Sequence, residues 1–77
     1  MKNFNFTLDC PEKDHYSKTV FNFKGNSVED AALNYLADYH GHKNGPEIYG
    51  RIEESSTVQF YGYVYMVDEI KEVNNGS

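Results

Sequence analysis

Val58-Gln59-Phe60-Tyr61-Gly62-Tyr63-Val64-Tyr65-Met66-Val67 is the stretch on which the fold turns, because both of its alternating rows are apolar or aromatic. Side chains of a strand alternate between its faces. Read as one strand, the stretch puts Val58, Phe60, Gly62, Val64 and Met66 on one side, and Gln59, Tyr61, Tyr63, Tyr65 and Val67 on the other. A chain of 77 residues is near the lower limit for a self-sufficient core. It has material for one helical layer against one sheet, so only one of the two rows is expected to be buried. The first row is assigned to the core, and the tyrosine row to solvent or to a partner.

The rest of the chain supplies the other layers. Asn3 to Cys10 alternates, with Phe4, Phe6, Leu8 and Cys10 on one face. The polar turn Pro11-Glu12-Lys13-Asp14-His15 leads into a second strand, Tyr16 to Lys24, with Thr19, Phe21 and Phe23 expected inward and Lys18, Val20 and Asn22 outward. So short a loop implies an antiparallel hairpin. Ser27 is a good N-cap, with the acids Glu29 and Asp30 in the positive first turn. From there Val28, Ala31, Ala32, Tyr35, Leu36 and Tyr39 form one stripe of an amphipathic helix, with Gly41 placed to stop it. A third strand is expected over Glu47 to Glu53, with Ile48, Gly50 and Ile52 inward and Glu47, Tyr49, Arg51 and Glu53 outward. Asp68 to Val73 reads as an edge strand or a helical turn. The expected fold is α+β: a four-stranded, mainly antiparallel sheet in the order β-β-α-β-β with one helix on one face. It forms one domain over residues 1–73, followed by a disordered tail over 74–77.

Composition narrows the function. The net charge of −5 opposes direct binding to nucleic acid, whose affinity comes from Lys and Arg neutralising phosphates. The cations Lys2, Lys13, Lys18, Lys24, Lys43, Arg51 and Lys71 are scattered singly, and a basic protein surface is the better electrostatic match. The lone Cys10 precludes an intrachain disulfide, which favours a reducing compartment. Met1-Lys2-Asn3-Phe4 lacks the apolar segment of a secretory leader, and no run is long enough for a membrane span. The expected location is cytoplasmic.

No motif identifies a reaction. His40, His42, His15 and Cys10 carry zinc-ligand atoms, but His-x-His spacing at a helix end does not aim two imidazoles at one point, so no metal is expected. Asp9, Glu12, Asp14, His15 and Ser17 are acid-base groups on a hairpin turn that offers no cavity, so no enzymatic activity and no cofactor are expected. The helix is already used by Phe60, Val64 and Met66, which leaves the other sheet face uncovered. The candidate partner-binding residues are therefore Tyr49, Tyr61, Tyr63 and Tyr65, rimmed by Glu47, Glu53, Glu54, Asp68 and Glu69. Tyrosine supplies rigid area with a polar tip, which suits interface hot spots, although its strand propensity alone is a structural reason for it.

In its length, its β-β-α-β-β order over residues 3–67, its acidic balance and its lack of catalytic residues, the chain resembles the small acidic α+β proteins that bacteriophages encode to inhibit host machinery, anti-CRISPR proteins among them. That resemblance implies a non-enzymatic inhibitor that engages a nucleic-acid-handling protein complex in the host cytoplasm. Independently of the resemblance, the concentration of acids around the aromatic strand leads to the expectation that carboxylates stand in for phosphates on a basic partner. The alternatives are a homo-oligomerising adaptor that uses the same face, as a homodimer, and a small metal-dependent enzyme.

Overall fold

The computed structural model describes residues 1–40 and 50–71. Its first departure from expectation lies inside the decisive stretch. Tyr61 (φ 55°) and Gly62 (φ 84°) both adopt left-handed backbone, the signature of a two-residue hairpin turn whose twist matches the flanking strands. The stretch is thus two strands. In chain order the elements are β1 (Lys2–Cys10), a 3-10 turn (Pro11–Lys13), β2 (Tyr16–Gly25), α1 (Val28–Tyr39), β3 (Gly50–Glu54), β4 (Thr57–Phe60) and β5 (Tyr63–Glu69). Among the described residues the fold is α+β with one helix, and the sheet has five antiparallel strands rather than four, in the order β2-β1-β5-β4-β3. Asp68 and Glu69, expected to begin an edge strand or a helical turn over Asp68 to Val73, instead continue β5 at the centre of the sheet, and residues 72 and 73 lie outside the described residues.

The turn inverts the phase of everything after it. Phe60 pairs with Tyr63 and Val58 with Tyr65, and paired residues share a face. Tyr65 (1% exposed) and Val67 therefore join Val58 and Phe60 in the core, while Met66 (53% exposed) faces away from the helix. The expected assignment of Val64 and Met66 to the core, and of Tyr65 to the surface, is reversed.

A second inversion occurs in β2. The β1–β2 register jumps between Phe4↔Phe23 and Phe6↔Val20, so Asn5 faces both Phe21 and Asn22 across a β-bulge. Asn22 takes the left-handed conformation (φ 56°), and its N–H donates to Asn5 Oδ1 at 2.8 Å. One extra residue flips the alternation. Val20 is buried, and Phe21, expected inward, is 62% exposed.

The helix forms where the sequence places it. Ser27 Oγ accepts from the N–H of Asp30 at 3.1 Å, satisfying a donor that the helix start leaves free, and Asp30 Oδ2 accepts from the N–H of Asn26, just before the cap, at 2.8 Å. Ala31, Ala32, Leu33, Leu36 and Ala37 are its buried residues, whereas Tyr39, at the end of the expected stripe, is exposed. Small residues let the helix lie close to the sheet. A Cβ on Gly25 would stand 2.7 Å from the Ala31 Cα, so only glycine fits where β2 passes under the first turn of α1. His40 caps the last turn, its N–H donating to the Leu36 carbonyl at 3.1 Å. The expected Gly41 stop, like the expected start of the third strand and the tail, lies outside the described residues.

Candidate protein-binding face

The helix covers one face of the sheet. On the other, register alone decides which side chains meet. Asp9 pairs with Met66, Met66 with Thr57, and Thr57 with Glu54, giving a row across β1, β5, β4 and β3 with an apolar centre and a carboxylate at each end. At about 4.8 Å per strand, the row spans roughly 14 Å. Asp68 lies on the same face, opposite Thr7. Val64 lies there too, opposite Gln59, and is half-buried.

The 3-10 turn completes this surface. The β1–β5 ladder ends at the Asp9↔Met66 pair, and the Val64 N–H, two residues further along β5, instead donates to Glu12 Oε1 at 3.4 Å. The result is a shallow groove lined by Pro11, Glu12, Glu54, Thr57, Val64 and Met66. Arg51, opposite Gln59 on this face, is held by Glu53, with both Nε and an Nη 2.9 Å from Oε2. Lys24 is at the far corner, opposite Asn3. The groove is thus apolar at its floor and acidic at its rim.

The tyrosines go elsewhere. Tyr65 is in the core, its ring edge-on to that of Tyr16 with centroids 5.6 Å apart. Burial, reinforced by Cys10, Tyr16 and Tyr63 nearby, pushes its hydroxyl up to about 12. Tyr16 is raised by the same cause, with Tyr35, Tyr39 and Cys10 adding to it. Tyr61 sits in the hairpin turn, half exposed, edge-on to Phe60 at 5.1 Å. Tyr63 follows on the helix side of the sheet, and Lys13 Nζ lies 5.3 Å from its ring centre and 5.5 Å from that of Tyr16.

These rings serve the fold. Tyr35 stacks with Tyr39, Tyr39 meets His40 edge-on, and His40 stacks on Phe60 at 5.6 Å, tying the end of α1 to the β4–β5 hairpin. Each such contact stabilises by about 0.5–1.5 kcal/mol beyond area burial.

The nine residues expected to form one surface are therefore dispersed. Glu54 and Asp68 lie on the helix-free face, and Glu53 is engaged with Arg51. Glu69, opposite Phe6, is exposed at the end of β5 on the other side of the sheet. Tyr61 and Tyr63 occupy the hairpin end, Tyr65 is buried, and Tyr49 and Glu47 lie outside the described residues. Asp9, Glu12, Val64 and Met66 belong to this face without being expected in a binding surface, and the Tyr61-Gly62 turn is the sequence signal that places the last two. Among the described residues no three His, Cys, Asp or Glu side chains come together as a metal site, and Cys10 is a buried free thiol. No helix among them is long and apolar enough to cross a membrane. Compared with protein-family models, curated proteins and solved structures, the chain finds no significant match in any of the three.

Proposed function

We propose that this chain is a non-enzymatic protein-binding module that contacts its partner through the helix-free face of the sheet, centred on Met66. The observation that carries the reading is the exposed Met66 side chain, on a sheet face that no described element covers, within a groove whose rim is acidic. Methionine at a contact surface adapts to varied partners, and a carboxylate rim disfavours acidic ones. A module of this kind would inhibit a nucleic-acid-handling protein complex by occupying a basic site made for phosphates. Its own net charge turns it away from nucleic acid itself. A homodimer through this face would set carboxylates against carboxylates around one apolar patch, which opposes the self-pairing alternative.

The test is capture of a partner from native host extract by the immobilised chain, with Met66→Arg as the control. Because Met66 faces solvent, that variant should retain the wild-type circular dichroism spectrum and melting transition while losing the captured protein. Undiminished capture by folded Met66→Arg, or sedimentation of the wild type as a dimer that Met66→Arg dissociates, would refute the proposal.

A further inference from the structure

The row across the helix-free face has a length as well as a charge. Asp9 and Glu54 stand at its ends, three strand spacings apart, with Met66 and Thr57 between them and Glu12 reaching in beside Val64. An extended peptide advances about 3.4 Å per residue, so positions i and i+4 of such a peptide are also roughly 14 Å apart and project to the same side. Position i+2 then falls over the middle of the row. We infer that the occupant of this groove is an extended segment of a protein partner with lysine or arginine at i and i+4 and an apolar side chain at i+2. The cations pair with Asp9 and Glu54, and the apolar residue packs on Met66 and Val64. This rests on reading the helix-free face as the contact surface and adds the chemistry of what it contacts.

Three features favour a cationic segment over another occupant. The carboxylates at the rim would repel an acidic segment, and the domain carries a net charge of −5 that strengthens this at a distance. Lysine and arginine have apolar stems that pack along a surface such as Pro11, Val64 and Met66 while the head group reaches an acid. The cation on the same face closest in register, Arg51, is engaged by Glu53 and does not neutralise the row.

The experiment is a titration of the full chain, followed by amide NMR shifts at about 0.15 M ionic strength, where charges beyond about 8 Å are screened. The probes are an Arg-Ser-Leu-Ser-Arg peptide with blocked ends and a scrambled Arg-Arg-Ser-Ser-Leu peptide of the same charge. The ordered peptide should give saturating shifts at Glu12, Thr57, Val64 and Met66. Two exposed ion pairs together change affinity by roughly threefold to tenfold. The scrambled peptide, and the ordered peptide against Asp9→Asn/Glu54→Gln, should each bind weaker by about that factor. Equal binding of the two peptides, an unchanged affinity in the double variant, or shifts centred on Tyr61 and Tyr63 would overturn the inference. If the peptides are not distinguished but Met66→Arg still abolishes capture, the cationic pattern falls and the contact face stands. If Met66→Arg captures normally, the face falls with it.

Discussion

Truncating Tyr65 and its neighbour Met66 to alanine separates the two possible phases of β5 by several kilocalories. In the hairpin, Tyr65 is 1% exposed and Met66 is 53% exposed. A buried aromatic ring removes about 200 Å² from water, an upper bound near 5 kcal/mol at 25 cal/mol per Å², and large-to-small changes of buried aromatics cost about 3–5 kcal/mol. Met66 has half its surface in water already, so Met66→Ala should cost at most about 1 kcal/mol. The assay is urea denaturation followed by far-ultraviolet circular dichroism, with midpoints and slopes compared across the two variants and wild type. A domain of this size is stable by only about 4–12 kcal/mol, so Tyr65→Ala is expected to be largely unfolded or to have a much lower midpoint. Tyr65→Phe, which keeps the ring, should stay folded and serves as the reference if it is. Met66→Ala should lower the melting temperature by no more than about 8 °C. A larger loss from Met66→Ala than from Tyr65→Ala would mean that residues 58–67 run as one strand, and would refute the turn at Tyr61–Gly62 and the face derived from it.

Titration supplies two further predictions. The Tyr65 hydroxyl is raised from 10.0 to about 12, so its contribution is complete below pH 10 and is lost as the pH rises through about 12. Stability of the wild type should fall across that interval, and Tyr65→Phe should show a shallower fall in the same denaturation series. Glu29 moves the other way. Its carboxylate accepts the Ser56 N–H at 2.8 Å, the largest cause holding it below its ordinary value of 4.5, and so joins the start of α1 to the β3–β4 turn. That stability is present above pH 4.5 and is lost as the pH falls through the lowered value of the folded state, so Glu29→Gln should weaken the protein at pH 7 and flatten its acid-side slope. An unchanged slope would show that the bond contributes nothing.

The helix was legible because three independent signals agree on it: Ser27 as cap, acids in the first turn, and apolar residues recurring at helical spacing. The β1–β2 hairpin was legible for a similar reason, since Phe4, Phe6, Leu8 and Cys10 alternate cleanly with polar partners. The two inversions, in residues 58–67 and in β2, are errors of phase. Alternation reports phase only when one row is polar, and in residues 58–67 both rows are apolar or aromatic, so nothing marked the inversion. Tyr61-Gly62 is also an unusual hairpin turn, since asparagine or aspartate ordinarily precedes the glycine and tyrosine reads as strand. In β2, Val20 and Phe21 are adjacent and both apolar, and the clue to the bulge was Asn22, a residue that tolerates the left-handed conformation it adopts.

The same inversion explains the fate of the site. Simple alternation puts the tyrosine row at the surface only by putting Val64 and Met66 in the core, and exchanging the rows exchanges the surface. Glu54 and Asp68 were found by sequence because exposed acids need no phase to be recognised as exposed. Glu12 was beyond reach, since its place beside Val64 depends on a contact spanning 52 residues.

The most direct test of the central claim is amide hydrogen exchange of the chain, free and saturated with its captured partner. The helix-free face predicts slowed exchange at Asp9, Glu12, Thr57 and the Val64–Asp68 segment, with Tyr39 and Tyr61 unchanged. Protection confined to Tyr39, Tyr61 and Tyr63, with β5 unaltered beyond Tyr63, would contradict it and return the contact surface to the tyrosines.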